Sequence, residues 1–164
     1  MSFDSSYGVA VDDKGNVTLT GYFNGTADLG GGNVTSRGFN EIFVTSFSSE
    51  GVHRWQKALT GSGDNTGHDI AVDASGNVTL TGTFNHTVDL GGGDVTSKGI
   101  NDIFVTSFTS EGVHRWQRAL GSPSSDEGWG VATDGSGNVT LTGRFSDTID
   151  LGGGDVVSKG ITDV

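Results

Sequence analysis

The sequence predicts an all-β fold built from tandem four-stranded units, on three observations. The segment Gly15-Asn16-Val17-Thr18-Leu19-Thr20-Gly21 returns at Gly76–Gly82 and again at Gly137–Gly143, 61 residues apart each time and without gaps. Glycine is abundant (29 residues) and proline nearly absent (1), so the chain reads as short strands joined by tight turns rather than as a polyproline or disordered segment. No stretch sustains a helical period, whereas short apolar runs alternate with polar residues between clusters of Gly, Asn and Asp.

The repeat divides the chain into Tyr7–Gly67, His68–Gly128 and the shorter Trp129–Val164, and roughly 40 of the 61 aligned positions in the first two units are identical. Tyr7–Val11 is a short apolar strand, followed by Asp12-Asp13-Lys14-Gly15-Asn16, a hairpin-turn composition. Val17–Phe23 alternates, with Val17, Leu19, Gly21 and Phe23 on one face and Thr18, Thr20 and Tyr22 on the other. Ile42–Phe47 carries apolar residues on both faces and is expected to be buried on both. The turn Ser48-Ser49-Glu50-Gly51 leads to a fourth strand, Val52–Leu59, which contains Trp55. Between strands two and three, Ala27–Ser36 holds two β-like pieces around three glycines and reads as a small extra hairpin or an ordered loop.

Four antiparallel strands with two partly apolar faces cannot bury themselves, but neighbours stacked around an axis can cover both faces. The units are therefore expected to be blades of a β-propeller. The chain supplies about two and a half blades (7–67, 68–128 and a partial 129–164), forming a single array. Such a ring is completed either by self-assembly, as a dimer or trimer, or by a longer parent chain.

The residues resemble the bacterial seven-bladed β-propeller repeats of the SBBP type. The resemblance rests on Gly8-Val9-Ala10-Val11-Asp12, Gly15-Asn16-Val17, Thr20-Gly21, Glu41-Ile42-Phe43-Val44, Gly51 and Trp55. It continues in Ile70-Ala71-Val72-Asp73, Gly76-Asn77-Val78, Thr81-Gly82, Asp102-Ile103-Phe104-Val105, Gly112 and Trp116, and in Gly130-Val131-Ala132 with Gly137–Gly143. It implies strands ordered one to four from the propeller axis outward and a secreted or surface-attached bacterial protein. It implies no particular activity, because fold does not fix function.

Composition narrows the classes of function. A net charge of −11 argues against a nucleic-acid partner, since phosphate binding needs clustered Lys and Arg. No apolar run approaches the roughly 20 residues of a membrane helix, so membrane insertion is not expected. The start, Met1-Ser2-Phe3-Asp4, lacks the basic and apolar regions of a signal peptide. With no cysteine, thiolate metal sites and cysteine nucleophiles are excluded.

The candidate sites are repeated features. Asp-Leu-Gly-Gly-Gly-Asx recurs with Asp28 and Asn33, Asp89 and Asp94, and Asp150 and Asp155; paired across a hairpin, these oxygens offer a Ca²⁺ site, although two side chains make a sparse cage. Asp beside Gly is also ordinary turn chemistry, which is the preferred reading, as it is for Asp12–Asn16, Asp73–Asn77 and Asp134–Asn138. His53 and His114 stand alone before Arg-Trp and are assigned to surface or packing roles. Trp55 and Trp116 could stack on a sugar ring, with packing between blades preferred. Trp129 replaces Tyr7 and His68, so that position tolerates change.

No catalytic constellation, dinucleotide fingerprint or phosphate loop occurs, so no enzyme activity and no cofactor are expected, with a hydrolase or lyase as the least favoured reading. Near-identical units reproduce one surface several times. The expected function is therefore a non-enzymatic interaction scaffold that binds itself and, beyond itself, a protein or glycan. One alternative is a multivalent lectin-like propeller. Another is an amplified repeat fragment with no function of its own.

Overall fold

The computed structural model describes residues 3–37 and 39–164, leaving Met1, Ser2 and Gly38 outside the account. Among the described residues there is no helix. The first unit contains β1 (Ser5–Val11), β2 (Val17–Phe23), β3 (Thr26–Asp28), β4 (Asn33–Thr35), β5 (Glu41–Phe47) and β6 (His53–Leu59). The second repeats them as β7 (Thr66–Val72), β8 (Val78–Phe84), β9 (Thr87–Asp89), β10 (Asp94–Thr96), β11 (Asp102–Phe108) and β12 (His114–Leu120). The third holds β13 (Glu127–Thr133), β14 (Val139–Arg144), β15 (Thr148–Asp150) and β16 (Asp155–Val157).

Each complete unit is a four-stranded antiparallel meander, ordered β1-β2-β5-β6 and β7-β8-β11-β12, with a two-stranded hairpin inserted before its third strand. The third unit is the pair β13-β14 plus its own hairpin, β15-β16. The glycine-rich insert is thus a hairpin, not a loop. No sheet closes on itself among the described residues.

Strand two lies where the alternation places it, but three other boundaries move. The first strand starts two residues earlier, at Ser5, Thr66 and Glu127, because it continues past a β-bulge to pair with the end of strand two. The third strand starts at Glu41 rather than Ile42, since Glu41 pairs with Phe23. The fourth starts at His53, leaving Val52 exposed in the turn.

The turn joining strands one and two is built on one carboxylate. Asp12 Oδ1 accepts from the amides of Lys14 and Asn16, and Oδ2 accepts from the Asn16 side chain. The Asp73 and Asp134 turns repeat all three bonds. This is why Asp, Gly and Asn recur at these places: the carboxylate satisfies the turn amides, and Gly15, Gly76 and Gly137 take positive φ.

The alternating face of strand two is not a solvent face. Thr18 and Thr20 are as buried as any core residue, as are Thr79 and Thr81. Their hydroxyls bond within the sheet, Thr20 to the Phe43 carbonyl (2.8 Å) and Thr81 to the Phe104 carbonyl (2.7 Å). Burial of these hydroxyls carries little penalty because each is satisfied. The neighbouring sheet covers them. The main core spans the junction, with Ile42, Val44 and Leu59 of the first unit against Ile70, Leu80, Phe84, Phe104 and Phe108 of the second. A smaller cluster, Ile103, Phe145 and Ile149, joins the second unit to the third.

Bulge and junction meet at one glycine per unit. A Cβ at Gly82 would collide with the Thr66 carbonyl oxygen and would lie 2.8 Å from the Phe104 ring. Replacement of Gly82 by alanine is expected to destabilise the chain by about 2 kcal/mol, since backbone on one side and a core ring on the other must both yield. Urea unfolding of Gly82→Ala against the parent measures this, and an unchanged midpoint would show that the bulge relaxes freely.

Candidate interaction surfaces

In the two complete units the inserted hairpin folds down over the third and fourth strands of its own sheet. Asp28 Oδ1 accepts from the amides of Gly30 and Gly32, and Asp89 and Asp150 do the same for their glycines. These amides hold the Asp150 carboxyl below the usual carboxylate range. Thr45 and Thr106 donate to the carbonyls of Leu29 and Leu90. The side chains of Gln56 and Gln117 accept from the middle glycine and donate to the carbonyl of the next. The glycines here permit close approach: a Cβ at Gly31 or Gly92 would strike the ring of His53 or His114.

Each residue singled out in the sequence has a defined place in this geometry. Asp89 and Asp94 do stand opposite each other, as do Asp150 and Asp155. Each pair is two residues only, and among the described residues no group of three or more His, Cys, Asp or Glu is gathered for a metal ion. One oxygen of Asp89 and of Asp150 is already committed to hairpin amides. His53 and His114 meet Phe47 and Phe108 edge-on at 5.6 and 5.7 Å, each with a buried, unpartnered Nε2. Both histidines pack the hairpin against the sheet.

Trp55 lies between units. Its Nε1 donates to the Ser110 carbonyl at 2.8 Å, and its ring sits on Gly112, whose φ of 78° in the first-unit equivalent Gly51 and 77° here belongs to the same tight turn. Trp116 occupies the same place in the second unit, half-buried on the face turned toward the third. Trp129 is exposed beside Arg144, which pairs with Glu127 at 2.5 Å and reaches over the indole ring.

Sequence reasoning missed a set of buried acids. Glu41 and Asp102 open the third strand, and Asp126 precedes the third unit; all three are essentially inaccessible. Burial pushes the carboxyls of Glu41 and Asp102 upward, against the pull of the Arg37 amide in one case and of the Lys98 and Gly99 amides in the other. Asp126 accepts from the amides of Ser122 and Ser146 and so ties the loop before a unit to its second strand. An acid directly ahead of Ile-Phe-Val, where the pattern itself promises burial, was the available signal.

Two surfaces remain open. On the first unit the residues facing away from the second include Val9 and Val11, both exposed. Val9 is 61% exposed, whereas its counterparts Ile70 and Val131, each covered by a preceding unit, are 4% and 8% exposed. On the third unit, β14 has no continuous partner on its second edge among the described residues, and a cleft of roughly 550 Å³ opens there between Ile103, Leu120, Leu141, Phe145 and Leu151.

Compared with known proteins, the chain matches no family model and no curated sequence.

The turn carboxylates set an acid limit. Burial alone would raise Asp73, but bonds from the Asn77 side chain and from the Asn77 and Ser75 amides outweigh it and leave the carboxyl below its ordinary value of 3.8. A lowered folded-state pKa means stability that is present above the unfolded value and lost as pH falls through the folded one. Asp73→Asn is expected to cost about 1 kcal/mol at neutral pH, with the difference from the parent vanishing well below pH 4. Thermal melts across that range check both the size and the sign. Calcium at millimolar concentration is expected to leave the melting temperature unchanged; a rise reversed by chelator, and abolished in Asp89→Asn, would establish the hairpin as a metal site.

Proposed function

We propose that the chain is a non-enzymatic interaction scaffold, in which the units act as β-propeller blades of the SBBP type and further copies of the chain extend the array toward a closed ring. The observation that carries this reading is the repetition of one junction. Ala10, Ile42, Val44 and Leu59 of the first unit meet Ile70, Val78 and Leu80 of the second. The corresponding face of the second unit, with Ile103 and Leu120, receives the third. At the second junction the Asp69 carboxylate accepts from the Val131 amide (2.8 Å), and the His68 Nδ1 lies 2.7 Å from the Gly128 carbonyl.

Both contacts are head-to-tail, so the array has two unlike ends. The first unit offers the face that Ile70 and Val131 bury elsewhere. The third offers the face that Ala10 and Thr20 bury in the first, here with Ala132, Thr140 and Thr142 exposed. Surfaces of this kind join copies into rings when the rotation closes. The acidic charge lies largely in turns, away from these faces, which keeps assemblies soluble. Trp55, with its indole N–H bonded across a junction, favours the scaffold over the lectin-like alternative. Secretion or surface display follows from the family resemblance and belongs to the same proposal.

Light scattering after size exclusion tests the assembly. At micromolar concentration the mass is expected to be a multiple of 16.8 kDa. Val9→Asp, at a site exposed in the single chain, is expected to return the mass to one chain without shifting urea unfolding of the monomer. A parent protein that is monomeric at this concentration removes the assembly, and turnover of any ester, glycoside or phosphate substrate removes the non-enzymatic reading.

A further inference from the structure

We infer that the polar cleft between the second and third units, at the end where their first strands begin, binds the guanidinium group of an arginine side chain on a protein partner. The cleft holds about 250 Å³, and Asp64, His68, Thr83, Asn85, Asn101 and Glu127 line it. Its walls are the second unit and the first strand of the third, so it lies inside a junction that the chain makes with itself. The assignment rests on the scaffold reading only in taking the site to bind rather than to turn over, and the Val9 face has no part in it.

The units are nearly identical, so the places where they differ in chemistry stand out. Gly15–Gly21 return unchanged at Gly76–Gly82 and Gly137–Gly143. The cross-strand pair directly beyond differs every time: Ser5 with Tyr22, Thr66 with Thr83, and Glu127 with Arg144. So does the ring two residues after the first member of each pair, which is Tyr7, His68 or Trp129. In the first unit the Tyr22 ring stands 5.9 Å from Tyr7, which meets His68 edge-on at 6.2 Å. In the third, the set closes on a guanidinium: Glu127 accepts from Arg144 and from the Trp129 indole, and the guanidinium carbon lies 5.8 Å from the centre of that ring. In the second, Thr83 is too short to fill the space that Tyr22 and Arg144 fill in the other units, and the cleft opens beside it. The Thr83 hydroxyl is inaccessible and has no hydrogen-bond partner.

The groups left available in the cleft are chiefly acceptors. The Asn85 side chain donates to Asn101 Oδ1, and its own Oδ1 accepts from the Asp64 amide, so these amides are largely committed. The His68 Nδ1 lies 2.7 Å from the Gly128 carbonyl. A carbonyl can only accept, so this nitrogen carries the proton and Nε2 of the neutral ring is left as an acceptor. The Asp64 carboxylate lines the cleft from an exposed position, and Glu127 keeps free lone pairs after serving Arg144 and Trp129. Among the described residues these acids and the imidazole do not gather as a metal cage. Spaced acceptors beside a ring suit a planar, five-donor guanidinium better than a compact ammonium. The Arg144–Trp129–Glu127 set is the same recognition made within the chain, and a net charge of −11 favours a cationic partner.

The test titrates acetyl-arginine methylamide, and its neutral citrulline analogue, into the parent chain and follows backbone amide shifts by NMR. The arginine probe is expected to give saturable shifts at Thr66, His68, Thr83 and Glu127 with a dissociation constant on the order of 1 mM, and the citrulline probe none. Thr83→Tyr, which installs the ring of the first unit, is expected to weaken binding at least about tenfold. Asp64→Asn, at an exposed position, is expected to weaken it about threefold. Absence of saturable shifts at tens of millimolar arginine probe, equal shifts from the citrulline probe, or unchanged affinity in either variant overturns the assignment. Light scattering on the same samples reports assembly separately, so a silent cleft leaves the scaffold reading standing and a monomeric mass leaves the cleft standing.

Discussion

Each four-stranded sheet has two faces that both need covering, and the rest of the structure follows from that constraint. One face of the second strand is aliphatic, through Val78 and Leu80, and the other is hydroxylic, through Thr79 and Thr81, yet all four are buried. A sheet patterned for one wet face would leave the threonines in water. Here they bond their own sheet's carbonyls and hydroxyls, and so present a dry, self-satisfied surface to the next unit. The aliphatic face of the next unit then packs on that surface. The junction is therefore asymmetric by chemistry, and every unit carries one half of each kind.

A junction of that sort needs close approach at the first strands, and the bulges provide it. Gly8, Gly67 and Gly128 lie where the first strand of one unit meets its neighbour, and added side chains at Gly67 and Gly128 would meet Thr20 and Thr81 of the preceding unit. The carboxylates at Asp12, Asp73 and Asp134 rigidify the turn beside the same strand, and Asp126 ties the strand's entry to the far end of the second strand. Charge is thus used locally, and at the second junction the Asp69 carboxylate takes a backbone amide, that of Val131, as its partner.

How far the sequence revealed this depended on which interactions were local. The second strand and its preceding turn were legible to the residue, because Asp, Gly and Asn satisfy the turn amides within five positions and the alternation that follows is clean. The third strand was legible as doubly buried from Ile42, Phe43, Val44 and Phe47. Its first residue was not, because Glu41 is buried by loop amides that no periodicity reports. The early start of the first strand was missed because Ser5 and Ser6 carry no apolar signal and pair beyond a bulge. His53 and His114 were expected in surface or packing roles, with no indication of what they would pack against. Their neighbours are the middle glycines of the inserted hairpins, Gly31 and Gly92, contacts that span more than twenty residues in sequence.

The two open surfaces differ in what they lack, which makes them different problems for the molecule. The Val9 face lacks a sheet to lie against, but its own hydrogen bonds are complete, so leaving it open costs chiefly the hydrophobic contribution of a few aliphatic side chains, on the order of 25 cal/mol per Å² of apolar area. Among the described residues the second edge of β14 has no continuous strand partner, and an unpaired edge offers backbone donors and acceptors in a fixed register. A face selects a complementary shape and tolerates sliding. An edge selects a register, because a slip of one residue turns every side chain of a pairing strand to the opposite face of the sheet.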